Sequence, residues 1–439
     1  MQTKLEMRIW TAGKLPADWS KRTLLTQEEQ NKNLEKKVAA IISMVRNEGD
    51  NAIVKLTAEF DRVDIASENL RVTREEIERA YLAVTEEQVS AIKMLKSRVA
   101  CLEKALLRQI EVAFPEEGMT VQNMLSPIDS AGCYIPGGQA AYPTTVVMTA
   151  TPAKVAGVPR VVVCSPPNAE GEINSLVLVA ADICGVDEIF KVGGAQAIAA
   201  LAYGTESIKS VRKIVGPGNK YVTVAKMLVS KDIAIDMPAG PSEILVLADD
   251  SANPKFIAAD MISQAEHSED SVAGVITTSK NIAAKVVDWL GKLVSEAERA
   301  TTIINALSRN GFVISCETTD EMVMLANTFA PEHLEVLTRY PMEIADKITS
   351  SGLILIGPYS PVSLSDYGTG TNHVLPTGGF ARVFSGLSAL DFARRVSVVE
   401  CSREGLLEFR NHVRVLTKVE NLPNHYKAVE ARFEDEHKM

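Results

Sequence analysis

Along the first quarter of the chain, apolar residues recur every three or four positions. Val38, Ile41, Ile42, Val45, Ile53 and Leu56 keep this spacing over residues 34–59, broken near Gly49-Asp50, which predicts two consecutive amphipathic helices. Two more are expected over 73–83 and 85–110, each opened by a capping-box sequence, Thr73-x-x-Glu76 and Thr85-x-x-Gln88. Residues 1–30 show little periodicity and are expected to pack on another part of the molecule. After Ser126 the pattern changes. Short apolar runs at 160–164, 188–192, 213–215, 233–235, 243–247, 272–277, 312–315, 334–337 and 353–356 alternate with helical stretches such as 175–184, 195–202, 220–229, 254–266 and 321–328. Sustained β-α alternation predicts an α/β fold with largely parallel sheets, and strands in this number suit two smaller sheets better than one large one. From about residue 387 the pattern reads as helical again, interrupted by Pro423.

One segment breaks every period. Residues 353–382, LILIGPYSPVSLSDYGTGTNHVLPTGGFAR, open as a strand and then run on through eight glycines and prolines. A loop this long in a compact domain is either disordered or functional. Its aromatic and aliphatic content argues for order. Asp366 and His373 are the side chains in it that point to chemistry.

Composition narrows the class. Of 439 residues 46% are hydrophobic and 23% charged, an ordinary globular balance, and the net charge of −10 argues against nucleic acid or an anionic membrane as a partner. No apolar run reaches the length of a membrane span, and MQTKLEMRIW lacks the organisation of a signal peptide. The six cysteines (101, 133, 164, 184, 316, 401) are scattered without a C-x-x-C pair, which fits reduced thiols in a cytoplasmic protein. Cys133 precedes a glycine-rich turn, but no His or Lys beside it lowers its pKa, so it is read as a packing residue rather than a nucleophile.

Three glycine-rich turns stand where strand gives way to helix or loop: 131–138, 192–196 and 215–219. Such turns let backbone amides approach a phosphate at a helix N-terminus. None matches G-x-G-x-x-G and no P-loop exists, so a nucleotide site and plain tight turns both remain open. Of six histidines, 267, 333, 373, 412, 425 and 437, the helical His412 and the terminal His437 read as surface residues. His267 follows Gln264 at i, i+3 near a helix end, His333 follows Glu332 just before a strand, and His425 lies five residues after Glu420. Zinc held by nitrogen and oxygen ligands with one open position is a site such residues can build. On chemistry alone the ligands would be His267, Asp366, His425 and a carboxylate such as Glu266.

The segments GCYIPGG (132–138), VGGAQAIAAL (192–201), GPGN (216–219), AGPSEILVLAD (239–249), SQAEH (263–267), APEHLE (330–335) and DYGTGTNHVLPT (366–377) occur in an order that resembles the L-histidinol dehydrogenase family. The resemblance implies oxidation of L-histidinol through the aldehyde to L-histidine with two NAD and one zinc per subunit. It implies Gln264, His267, Asp366 and His425 as zinc ligands, replacing Glu266 by the amide, with His425 supplied across a homodimer. It implies Glu332 and His333 as the acid–base pair: His333 takes the hydroxyl proton and Glu332 activates water. Ser242, His373 and Glu420 match substrate-contacting positions, as do Gln264, His267, His333, Asp366 and His425. Tyr134, Gln196 and Asn219 match NAD-contacting positions.

The same resemblance implies two Rossmann-like parallel-sheet domains, incomplete and atypical, with helical N-terminal and C-terminal extensions. The expected division is an extension over 1–28, a main α/β domain from 29–131 plus 243–386, an inserted NAD-binding domain over 132–242, and a helical tail over 387–439 that reaches the partner subunit's site. Two departures stand out, Ser268 and Ser365, where the family has glycine; a left-handed backbone at either would cost about 1 kcal/mol. The other functions weighed are a zinc- and NAD-dependent dehydrogenase of another small polar alcohol, a zinc hydrolase without a nicotinamide step, and a silent binding homologue.

Overall fold

A computed structural model describes residues 5–22, 28–110, 113–137 and 141–433. Gly138 and His437 from the sequence analysis, and part of the N-terminal extension, lie outside the described residues. By contact the chain divides into two units, residues 1–103 with 128–392, and 104–127 with 393–439.

The first unit is built on two parallel sheets. Its strands are β1 (Arg8–Thr11), then, after β2 (Ala113–Glu116) and β3 (Met119–Pro127) of the second unit, β4 (Ser130–Tyr134), β5 (Arg160–Ser165), β6 (Glu188–Lys191), β7 (Lys213–Val215), β8 (Ala234–Ile235), β9 (Glu243–Ala248), β10 (Val272–Thr277), β11 (Phe312–Ser315), β12 (His333–Leu337) and β13 (Leu353–Ile356). One sheet has the order β6-β5-β4-β7-β8 and the other β1-β11-β10-β9-β12-β13. Leaving aside β1, an added edge strand of the six-stranded sheet, in each the first strand sits centrally, the next two step to one side and the last two to the other. This is the 3-2-1-4-5 order of a doubly wound half, whose switch point lies between the first and fourth strands. Helices cover both faces, so β9 (EILVLA) is buried at every residue and has no alternating pattern.

The strands anticipated from apolar runs are all present, within a residue or two at their ends. Five strands were not anticipated, β2 and β3 of the second unit and three more. β4 is central to its sheet, but SAGCY mixes small and polar residues and carries little hydrophobic signal. β1 adds a parallel edge to β11, placing the aperiodic N-terminal stretch in the six-stranded sheet. The tail, read as helical throughout, opens with a nine-residue strand, β14 (Ala393–Cys401), antiparallel to β3. Its sequence ARRVSVVEC has the β-branched residues of a strand.

The capping boxes form as expected: Thr73 Oγ1 accepts the Glu76 amide while the Glu76 carboxylate accepts the Thr73 amide, and Thr85 and Gln88 do the same. The helices of residues 28–108 share their cores with the five-stranded sheet, Val38, Val45 and Ile53 packing with Phe190 and Val192, and Val72, Leu95 and Val99 with Ala131 and Cys133. By packing they share their cores with residues 132–242.

The second unit holds the antiparallel sheet β14-β3-β2 and the helices Arg403–Val419 and Pro423–Glu430. Arg410 joins those helices by donating to both carboxylate oxygens of Glu430, at 2.5 and 2.7 Å. Among the described residues no helix is long and apolar enough to cross a membrane.

Candidate active site

The three glycine-rich turns follow β4, β6 and β7, and so gather at the C-terminal edge of the five-stranded sheet. Gly216 has φ +120°, and a Cβ there would collide with the Tyr134 backbone carbonyl, so glycine lets the β4 and β7 turns meet at the switch point. The Tyr134 hydroxyl accepts the Gly194 amide at 3.1 Å, and its pKa is pushed up to about 12 by burial. Gln196 is buried one turn into the helix Gly194–Tyr203, and its Oε1 has no hydrogen-bond partner. Asn219 is exposed and caps the helix Lys220–Val229, its Oδ1 accepting the amides of Tyr221 and Val222. Two helix N-termini, a close backbone approach and an orphaned amide oxygen form a cradle of the kind an anionic nucleotide uses, without the usual glycine spacing.

A buried ion pair that sequence reasoning missed holds this edge. Lys226 Nζ donates to the Gly216 carbonyl at 2.9 Å and pairs with Asp236, whose other oxygen accepts the Gly216 amide at 2.7 Å. One peptide is thus held at both its donor and its acceptor. A lysine within an otherwise apolar helix face was the available signal.

The remaining candidates of the first unit occupy the opposite, N-terminal edge of the six-stranded sheet. Glu332 and His333 stand where β12 begins, Ser242 immediately before β9, and Gln264 and His267 at the end of the helix Pro254–Ala265. His333 Nδ1 lies 3.1 Å from the Glu243 carbonyl, and its Nε2 is 3.9 Å from Asp366 Oδ1. Donation from Nδ1–H leaves Nε2 as the basic nitrogen. Burial alone would lower the His333 pKa, but the Glu332 and Asp366 carboxylates and the Glu243 carbonyl outweigh it and raise it to about 9. Glu332 accepts the Glu243 amide at 2.7 Å. His267, His333, Asp366 and His373 are near enough to act on one another's charge: burial raises the Asp366 pKa against the two imidazoles. Burial, then His333 and His267, push His373 down to about 4.

The long irregular segment is ordered and tied down. Asp366 sits in a π-helical turn, Ser365–Thr369, an element that often marks functional positions. Asn372 donates to the Met148 carbonyl at 2.7 Å, His373 lies 3.5 Å from the Thr145 hydroxyl, and Gly378 donates to Glu243 at 2.9 Å. Neither serine departure strains the chain. Ser365 has φ −67°, and the non-glycine residues with positive φ are Arg62, Ala330 and Asn421 among the described residues.

Gln264 Oε1, His333 Nε2 and Asp366 Oδ1 are buried without hydrogen-bond partners. Burying such atoms unpaired costs about 1–3 kcal/mol each, and three of them on one edge make it a candidate for a ligand. The Gln264 amide oxygen and the Asp366 carboxylate, with the His267 imidazole close enough to act on Asp366, are nitrogen and oxygen donors of the kind that fit zinc. Among the described residues no group of three or more His, Cys, Asp or Glu is placed to hold a metal. Glu420 and His425 belong to the second unit, both exposed, at the end of one helix and in the first turn of the next. Cys133 is fully buried with its pKa pushed up to about 12 by burial, which agrees with a packing role.

The family model described as histidinol dehydrogenase matches residues 24–433. The histidinol dehydrogenase of Methanothermobacter thermautotrophicus is 44% identical over 398 residues, 91% of this chain and 93% of that one. That of Clostridium acetobutylicum is 42% identical over 407 residues, 93% of this chain and 94% of that one. The crystal structure of histidinol dehydrogenase from Elizabethkingia anophelis superimposes with a TM-score of 0.92 at 34% identity, covering 98% of this chain and 99% of that one.

Proposed function

The chain belongs to the histidinol dehydrogenase family, and from that premise we propose how its residues divide the work. It is an oxidoreductase of histidine biosynthesis. The reaction is the NAD-dependent, four-electron oxidation of L-histidinol through L-histidinal to L-histidine, at a zinc held by Gln264, His267, Asp366 and His425. The observation that carries this reading is the pair of buried, unpartnered oxygens of two assigned ligands, Gln264 Oε1 and Asp366 Oδ1, with the unpartnered His333 Nε2 beside Asp366 as the base. When bound, zinc polarises the substrate hydroxyl and NAD accepts hydride in each oxidation.

His333 takes the hydroxyl proton at Nε2, the nitrogen left free by its bond to the Glu243 carbonyl. A pKa of about 9 is high for a base working near neutrality, and it rests on two carboxylates. A metal held by Asp366 would offset that carboxylate's pull on the ring and so favour the neutral, basic form of His333. Glu332, held by the Glu243 amide, accepts a proton from the water that adds to the aldehyde. His373, with its pKa pushed down to about 4, stays neutral and suits contact with the substrate imidazole. Ser242 and Glu420 complete the substrate contacts. Tyr134, Gln196 and Asn219 line the NAD site of the 132–242 half.

His425 and Glu420 reach the site of a second subunit. In support of a homodimer, the helix Arg403–Val419 buries only Gly405 and Thr417 and leaves Leu407, Val415, Leu416 and Val419 exposed, an apolar set that a second chain would cover. We place the enzyme in the cytoplasm, with neither nucleic acid nor membrane as a partner.

The test is NADH absorbance with L-histidinol before chelation, after it, and after zinc is restored. Two NADH per histidinol, lost on chelation and regained with zinc, is the expected result. NADH from a different alcohol alone would move the substrate assignment, and none from any alcohol would sink the reading.

A further inference from the structure

Arg22 lies in the N-terminal stretch that gave no sequence signal, before the first residue matched by the family model. Its side chain is only 7% exposed. Arg22 Nη2 donates to the carbonyls of Phe329 and Ala330, at 2.5 and 3.3 Å, where the helix Thr319–Phe329 ends. The guanidinium stacks 3.5 Å from the Phe329 ring, and Nε lies 3.0 Å from Glu243 Oε1. A planar cation with several donors suits helix-end carbonyls, which carry partial negative charge.

Those contacts surround the start of β12. Ala330 is in the left-handed region, φ +52°, a conformation that a non-glycine residue keeps only when its neighbours hold it there. Pro331, Glu332 and His333 follow directly. Glu243 then acts on the pair from the other side. Its amide donates to the Glu332 carboxylate at 2.7 Å, its carboxylate accepts the Glu332 amide at 3.4 Å, and its carbonyl is 3.1 Å from His333 Nδ1. Arg382 is the other cation nearby, but it is exposed and bonded to the Thr328 carbonyl. Arg22 is therefore the buried counter-ion of a pocket holding two carboxylates, Glu243 and Glu332.

We propose that Arg22 is a positioning residue for the reaction: it clamps the end of the helix Thr319–Phe329 and, through Glu243, sets the Glu332 carboxylate and the His333 ring. This rests on the roles given above to Glu332 and His333. It makes the N-terminal stretch part of the catalytic apparatus while contributing no group that touches substrate. A displacement near 1 Å at a reacting group can cost about a hundredfold in rate, without loss of ground-state binding.

The test compares Arg22→Met, Arg22→Lys and the double variant Arg22→Met/Glu243→Gln with the parent. Steady-state kinetics on L-histidinol, thermal melting and zinc content are measured for each. For Arg22→Met we expect kcat per folded enzyme to fall about 10- to 100-fold. KM for histidinol and NAD should stay within about threefold, with zinc retained. Arg22→Lys, keeping the charge but not the fork, should recover part of the rate. If Arg22→Met folds poorly, the double variant, without its unpaired buried carboxylate, restores the melt, and kcat should stay low in it. A kcat within about threefold of the parent in either Met-containing variant would overturn the proposal, as would a loss that appears in KM alone. A parent that makes no NADH from histidinol would refute the assigned reaction. An active parent with normal Arg22 variants would refute only this inference.

Discussion

The two parallel sheets of the first unit share a strand order and use opposite edges. In the five-stranded sheet the glycine-rich turns lie beyond the C-terminal ends of β4, β6 and β7, where helices begin. In the six-stranded sheet Ser242, Gln264, His267, Glu332 and His333 lie at the N-terminal edge, where helices end. Helix N-termini present unpaired amides and partial positive charge; helix C-termini present unpaired carbonyls and partial negative charge. The first edge suits the phosphates of a nucleotide. The second suits cations, and Arg22 at the Phe329 and Ala330 carbonyls occupies it in that way. A metal at Gln264 and His267, in the last turn of the helix Pro254–Ala265 and just after it, would have the same setting. On the proposed roles, the rule that ligands sit at the carboxyl ends of parallel strands would describe one half of this molecule, and the polarity of the helix ends would account for both.

If the two edges do separate work, damage to one should leave the other intact. The largest effect is expected from Asp366→Ala: zinc, followed by metal analysis after dialysis, should be lost together with turnover. NAD binding, followed by fluorescence titration, should stay within about twofold, since Asp366 is not one of the residues that line the turns after β4, β6 and β7. Loss of NAD binding in that variant would break the comparison. The converse lesion is Lys226→Met, which leaves Asp236 buried beside Gly216 without its partner. Removing one member of a buried pair costs about 3–5 kcal/mol, so the melting temperature and NAD affinity should both fall while zinc content holds.

The smallest effect sharpens the contrast by sparing both edges. Glu103 is buried, accepts the Ala389 amide at 2.7 Å, and has its pKa raised by burial from 4.5 to about 7. A carboxyl whose folded pKa is raised binds its proton more tightly when folded. The stability it contributes is full below about pH 4.5 and is lost as pH rises through about 7. Glu103→Gln should therefore flatten the pH dependence of melting across that window, by at most about 3 kcal/mol, with kcat unchanged. An unaltered melting profile would contradict the assignment.

The strands of both sheets were legible because each is a short apolar run between turn residues. β1 and β4 were not: RIWT lies in an aperiodic stretch, and the central place of SAGCY depends on neighbours rather than on its own residues. The irregular 353–382 segment was recognisable as an ordered loop from glycine and proline among apolar residues. What holds it, Asn372 to Met148 and Gly378 to Glu243, joins positions far apart in the chain. Glu243 and Lys226 are charged residues beside or within apolar runs, but nothing local in the sequence names their partners. Arg22 offered no local sign at all.

Sequence by itself determined most helices and the apolar strands, the parallel-sheet class and, through seven ordered motifs, the family and its candidate residues. Periodicity and turn chemistry act over a few residues, which is why they survive in a linear reading. Only the tertiary structure decided that the candidates of the first unit gather on two opposite edges. It alone set the Glu332 carboxylate on the Glu243 amide and Arg22 against Glu243. The physical reason is that a buried charge is stabilised by whichever groups the strand order and helix ends bring beside it, and those neighbours come from remote parts of the chain.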